Sequence, residues 1–233
     1  MQILFVSATG TDVGKTHAVV TLIEHFAAHG IRTGACKPIE TGVVGIPSDA
    51  QQLLKASQAA NPTFAALSPM DLTVYTFPLP AAPFSADVDH TIRKDVLLEK
   101  IEKLSQLCEL LIVEGAGGLM VPITRDFMMI DLAEALKAKV LLVTPSRLGC
   151  INETLLSVEA LHSRKIDFDW CVNLYEEAET FSETTQPYYD ATFPNWWTLQ
   201  GEGLERFVTT YIGRQESESG IYLIDNSTEN PSI

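Results

Sequence analysis

Little cysteine, little positive charge and no long hydrophobic run mark this chain, and each shortage closes off a class of function. The 4 cysteines, Cys36, Cys108, Cys150 and Cys171, are scattered without a C-x-x-C pair, so neither a zinc knuckle nor a disulfide framework is indicated. Cys36, Cys108 and Cys171 read as buried thiols. Against 30 Asp and Glu stand only 16 Lys and Arg, a formal charge of −14, which opposes the extended basic surface that nucleic acid requires. No apolar run approaches the roughly 20 residues of a membrane span, and the N-terminus enters a strand without a basic leader. The expectation is a cytoplasmic protein with neither a nucleic-acid nor a membrane partner. His25 and His29 have the spacing of a helical metal pair but lack a third ligand, so they read as a solvated helix face. No linker rich in proline, glycine or serine divides the 233 residues. One domain is therefore expected over residues 1–213, followed by a polar tail over 214–233.

What the sequence does contain begins with a strand-like run, Ile3-Leu4-Phe5-Val6, leading through Ala8-Thr9-Gly10-Thr11-Asp12-Val13-Gly14-Lys15-Thr16 into a helix. A triphosphate needs backbone N–H groups wrapped around its oxygens, a lysine for the β and γ phosphates and a hydroxyl for Mg²⁺. Gly14, Lys15 and Thr16 supply the glycine, the lysine and the hydroxyl in order. The spacing departs from the common G-x-x-x-x-G-K-[ST], because the residue five before Gly14 is Thr9 and the small residue before that is Ala8.

Apolar runs then alternate with helical periodicity, the pattern of a parallel sheet covered by helices. The fold class expected is α/β: a single domain with a mostly parallel sheet flanked by helices, similar to P-loop nucleotide triphosphatases. A helix with Val19, Ile23, Phe26 and Ala27 on one face stops at Gly30. Arg32 to Cys36 reads as a strand entering Lys37-Pro38-Ile39-Glu40-Thr41-Gly42. Ser48 reads as the N-cap of the next helix, with Asp49 in its first turn. Residues 61 to 92 should run irregularly over the surface, and so long a loop is more often functional than idle. Leu110 to Val113 reads as a buried strand ending at Glu114-Gly115-Ala116-Gly117-Gly118. Val140 to Val143 and Phe168 to Asn173 read as further strands, with Leu148-Gly149-Cys150-Ile151-Asn152 opening a helix that has Leu155, Val158 and His162 along one face. Glu176, Glu177, Glu179 and Glu183 read as a solvated acidic loop, and Tyr188, Tyr189, Trp196 and Trp197 as packing of the last segment onto the sheet.

Ligands of open parallel sheets collect beyond the carboxyl ends of the strands, where these loops lie. Glu114 and Thr16 are candidate Mg²⁺ ligands there, and Asp49 is either a third ligand or a helix-dipole partner. Lys37 directs a charge toward the same cleft, with the Thr41-Gly42 turn beside it.

The set formed by the Ala8 to Thr16 loop with its long spacer, Lys37-Pro38-Ile39-Glu40-Thr41-Gly42, Ser48-Asp49-Ala50, Val113 to Gly118, Leu148 to Asn152 and Asn173 resembles dethiobiotin synthetase over roughly the first 175 residues. The resemblance implies an ATP-dependent ligase that closes a cyclic urea on 7,8-diaminononanoate with CO₂, through a carbamate and a carbamic-phosphoric anhydride. By resemblance the catalytic residues are Lys37, Lys15 and Thr11, and Mg²⁺ is held by Thr16, Asp49 and Glu114. Asp12, Val13, Gly14, Lys15, Thr16, His17, Glu114, Gly117 and Asn173 contact ATP. Thr41 and the Leu148, Gly149, Cys150, Ile151 and Asn152 segment bind the diamino acid, the segment coming from the partner subunit of a homodimer whose active site lies at the interface. Two departures accompany the match: Ala8 stands at the first glycine of the loop, and the G-x-x-P turn of the base site is represented by Ala191-Thr192-Phe193-Pro194. The competing class is a partition-type P-loop ATPase switch. Its signature lysine, five residues before the loop lysine, is Gly10 here.

Overall fold

The structure, a computed structural model, describes residues 2–175 and 178–218. The first run forms β1, Gln2–Ala8, and the helix after the glycine loop is α1, Lys15–Ala28. Next come β2, Thr33–Cys36, β3, Ile39–Thr41, and α2, Ser48–Ala60. The stretch expected to be irregular contains two single 3₁₀ turns, a short strand β4, Tyr75–Phe77, that pairs in parallel with β3, and the short helix α3, Pro83–Ala86. A three-residue strand leaves no period to read. Helix α4, Lys94–Ser105, leads to β5, which runs Leu110–Gly118 and carries the strand through Glu114 instead of ending before it. Pairing with β1 on both sides of a bulge overrides the low strand propensity of its glycines.

The hairpin of β6, Pro122–Thr124, and β7, Phe127–Met128, precedes α5, Met129–Ala135. Strand β8, Lys139–Pro145, helix α6, Cys150–Ser163, and β9, Phe168–Asn173, complete the sheet. Helices α7, Ala178–Thr184, α8, Gln186–Thr192, and α9, Glu202–Glu218, close the described chain. Helix α9 continues past residue 213; Glu176, Glu177 and the Ile221 to Ile224 run lie outside the described residues.

The main sheet has the order β2-β5-β1-β8-β9 with every pair parallel. Because the chain leaves β1 toward β2 on one side and returns to β8 on the other, the crevice beyond the carboxyl end of β1 is the switch point where such sheets bind ligands. Leu4, Phe5 and Val6, Leu111, Ile112 and Val113, and Val140 to Val143 are completely buried. Such runs, covered on both faces, identify central parallel strands. Helix α6 buries Thr154, Val158 and Leu161, while His162 is exposed with its ring packed edge-on to Phe168, so the apolar face is rotated from the expected one. The late aromatic residues pack: Tyr189 is fully buried against Trp170 and Phe181, and Trp197 stacks on Phe207 at 5.1 Å. No helix among the described residues is long and apolar enough to cross a membrane.

Candidate active site

Between the end of β1 and the start of α1 the backbone reverses through left-handed conformations at Asp12, φ 58°, and Gly14, φ 92°. Ala8, by contrast, lies within β1 and is fully buried, so a side chain is tolerated where the resembling family has glycine. Gly14 is the N-cap of α1 and provides no side-chain cap, which leaves the first-turn N–H groups facing the loop's concavity. Asn173, buried at the end of β9, donates to the Val13 carbonyl at 3.0 Å, and a Cβ on Gly14 would lie 2.2 Å from its Nδ2. The Tyr175 hydroxyl donates to the Asp12 carbonyl at 2.6 Å. The segment leaving β9 thus clamps the loop from behind, a role for Tyr175 that no local motif announces.

Lys15 is buried and donates to the Gly10 carbonyl at 2.8 Å, bending back along its own loop. Burial pulls its pKa down to about 8, against the opposing pull of Glu114. Lys37 comes off the end of β2, buried, with its Nζ donating to Glu114 Oε1 at 2.8 Å and also to Asp49 Oδ2. Burial disfavours its charge, but the two carboxylates prevail and hold the ammonium above its ordinary pKa. Glu114 receives a second bond from Thr16 Oγ1 at 2.9 Å, its side chain is wholly buried, and its Oε2 finds no hydrogen-bond partner among the described residues. That burial pushes the carboxyl up despite Lys37. Thr16 of α1, Lys37 just after β2, Asp49 of α2 and Glu114 of β5 are therefore one connected group.

Asp49 is placed by a neighbour that is easy to overlook. The N-cap of α2 is Pro47, not Ser48, and no side chain of the cap residue satisfies the helix start. Buried Glu40 of β3 does so instead, accepting the N–H of Asp49 on Oε1 and that of Ala50 on Oε2, each at 3.0 Å.

A cleft of about 810 Å³ opens over this group. Of the residues singled out from sequence, Thr11, Asp12, Gly14, Lys15, Thr16, Lys37, Thr41, Asp49, Glu114 and Gly117 line it. Pro80, Ala81, Ala82 and Pro83 form an apolar wall beside Gly42, within the long segment whose length alone suggested function. Val13 is buried beneath the loop, and His17 is exposed on α1; neither lines the cleft. The Leu148 to Asn152 segment is absent from its walls as well. It starts α6 behind Gly149, φ 93°, again without a side-chain cap, and Leu148 is 73% exposed. Cys150 contributes little to an open turn: its N–H is taken by the Arg147 carbonyl at 3.2 Å and its thiol is buried against Thr185 and Tyr189. The turn is linked to the loop through Glu153, which binds Arg147 through both oxygens and accepts from Thr9 Oγ1 at 3.4 Å.

Among the described residues no three His, Cys, Asp or Glu side chains converge as a closed metal site. A divalent cation here would have Asp49, Glu114 and the Thr16 hydroxyl from the protein, with phosphate and water for the rest, as Mg²⁺ in nucleotide sites requires. Chemically the cleft offers an uncapped helix start for phosphate, two buried ammonium groups and the carboxylates of Asp12, Asp49 and Glu114 along one volume.

A family model described as an AAA domain matches residues 2–169. The chain is 60% identical over 207 residues to an ATP-dependent dethiobiotin synthetase of Sulfurovum sp., covering 89% of this chain and 98% of that one. It is 39% identical over 221 residues to one of Wolinella succinogenes, covering 91% and 99% respectively. Among solved structures, a plasmid partition protein from Borrelia burgdorferi superposes with a TM-score of 0.55 at 8% identity, over 91% of this chain and 99% of that chain. The last likeness is one of fold alone.

Proposed function

This chain belongs to the dethiobiotin synthetase family, and on that premise we propose that its cleft joins CO₂ to the two amines of 7,8-diaminononanoate at the expense of ATP. The observation that carries this reading is the second buried lysine. A phosphate switch needs Lys15, whereas Lys37, held between Asp49 and Glu114 in the same cleft, is a cation for a second anionic reactant.

The chemistry has three steps. One substrate amine adds to CO₂ and loses a proton, giving a carbamate. A carbamate oxygen attacks the γ phosphorus of ATP and ADP leaves. The second amine then attacks the carbonyl carbon, the ring closes, and phosphate departs with the former carbamate oxygen. Every early species is anionic, so positioning and charge neutralisation are the main work. Lys15 neutralises the transferring phosphoryl group, and Lys37 holds the carbamate in line with it. Thr11 and Thr41, both lining the cleft, offer hydroxyls to the carbamate and the amines, and the Pro80 to Pro83 wall suits the aliphatic chain. Gly117, φ 69°, keeps the backbone close to the nucleotide. His17, next to Thr16, and Asn173, against Val13, lie outside the cleft walls, and the α phosphate and the base would have to extend past the cleft to meet them.

Thr16, Asp49 and Glu114 suit Mg²⁺, because a wholly buried carboxylate with an unpartnered oxygen is in want of a cation. When bound, the ion would neutralise charge on the β and γ phosphates. Purified protein with Mg²⁺, ATP, bicarbonate and the diamine should form ring product and ADP in equal amounts. Nucleotide turnover that ignores the diamine would instead support the partition-type switch.

We also infer that the active unit is a homodimer. The Leu148 to Asn152 turn lines no wall of its own cleft, yet Leu148, just before α6, and Leu156, within it, are exposed apolar residues, 73% and 65% accessible. A turn so placed suits the substrate carboxylate of a second copy. Mixing inactive Lys37→Ala subunits with inactive Gly149→Val subunits should restore about a quarter of wild-type activity, since half the dimers are mixed and each has one intact site. No recovery after subunit exchange would mean that each chain works alone.

A further inference from the structure

We propose that Glu40 is a positioning residue for the reaction: by capping α2 from a neighbouring strand, it fixes Asp49 against Lys37 and so sets the cation site. The inference rests on the reading of Asp49 as a Mg²⁺ ligand, and the observations beneath it are geometric. Helix α2 starts at Ser48 behind Pro47, whose side chain can accept no hydrogen bond. Two first-turn amides, those of Asp49 and Ala50, are satisfied by the two oxygens of one carboxylate, Glu40, at 3.0 Å each. The Ser48 hydroxyl also approaches Glu40 Oε1 at 3.5 Å. Capping of this kind comes ordinarily from the residue just before the helix. Here it comes from β3, across the loop that joins β3 to α2.

That loop cannot place Asp49 by itself. Val44 is 89% and Ile46 63% exposed, and Gly45 adopts φ 90°, so little packing constrains it. Glu40, by contrast, is buried and sits in a strand paired with β4. One residue after it, Thr41 lines the cleft. A single buried carboxylate therefore ties the wall holding Thr41 to the helix start holding Asp49, and Asp49 is one of the two carboxylates on Lys37. A carboxylate also complements the positive end of α2, so charge and hydrogen bonding act together.

The test reads the Mg²⁺ concentration needed for tight binding of a fluorescent ATP analogue, alongside kcat for ring closure. Glu40→Ala should raise the Mg²⁺ midpoint and lower kcat by about 3- to 30-fold, the effect of a lost cap, while analogue affinity in EDTA stays within about twofold. Glu40→Gln is isosteric but accepts only one of the two amides, so its midpoint should fall between; it carries the test if the alanine variant does not fold. Adding Pro47→Asp to Glu40→Ala supplies a cap at the usual position and should bring back most of the shift. Folded Glu40 variants with a wild-type midpoint and kcat, or a loss of thermal stability alone with both values unmoved, would overturn the proposal. The midpoint is read without ring closure. A wild-type protein that makes no dethiobiotin would therefore defeat the substrate reading and leave the Glu40 result standing.

Discussion

Lys37→Ala should lower ring closure by about a hundred- to a thousandfold, the range for removal of one preorganised charge at a reacting centre, while nucleotide affinity hardly changes. Lys37 is buried, and its Nζ donates to Asp49 and Glu114 and not to the glycine loop. Removing it leaves two carboxylates facing each other without a counterion. Breaking a buried ion pair from one side typically costs about 3–5 kcal/mol, so the melting temperature should fall as well. The two effects separate on adding Mg²⁺ and ATP. A divalent cation replaces the lost positive charge and should restore stability more in Lys37→Ala than it raises stability in wild type, but it cannot take the place of the ammonium at the carbamate. Stability measured by thermal melts and ring product measured in parallel would show recovery of the first without the second. A variant that weakens nucleotide binding and leaves ring closure at saturating ATP intact would show that Lys37 serves the nucleotide instead.

Glu114→Gln is the second change with a large effect. The amide keeps the size of the side chain and one acceptor for Thr16 and Lys37, so packing in β5 is preserved. What disappears is a negative charge whose burial already works against it. Folding stability should fall, but less than in Lys37→Ala, because Asp49 still pairs with the buried ammonium. Mg²⁺ should bind much more weakly to the nucleotide complex, and kcat should fall by about a hundredfold or more, since stabilisation of the transferring phosphate is lost at the transition state. Titrating Mg²⁺ against analogue binding, with turnover at each concentration, checks both. Unchanged Mg²⁺ dependence would assign Glu114 to holding Lys37 and nothing more.

Local chemistry was readable where one short segment both makes the turn and carries the group. Gly14, Lys15 and Thr16 sit together, and Glu114 and Lys37 each follow an apolar strand, so the structure brings into one cleft residues that were legible one motif at a time. Contacts made across the fold were not. Glu40 looks like any polar residue in a turn, and Ser48 has the chemistry of an N-cap; only the position of β3 beside α2 gives the cap to Glu40. Strand β4 and the Pro80 to Pro83 wall have too little periodicity to be seen, and their placement depends on pairing with β3. Sequence alone puts Cys150 in the substrate-binding turn, whereas in the fold α7 and α8 pack over it through Phe181 and Tyr189 and bury the thiol. The fold class came through intact because it depends on the alternation of whole apolar runs with helices. Glycine-rich stretches such as Gly115 to Gly118 were harder, since their strand state comes from a neighbouring strand and not from their own propensity.

The most direct measurement follows oxygen. With ¹⁸O-labelled bicarbonate, kept from exchange by rapid mixing, Mg²⁺, ATP and 7,8-diaminononanoate, each ring closed should release one ADP and one phosphate carrying a single ¹⁸O from the former carbamate. Phosphate without label, or ADP released at the same rate when the diamine is omitted, would contradict carbamate phosphorylation in the cleft of Lys15, Lys37 and Glu114.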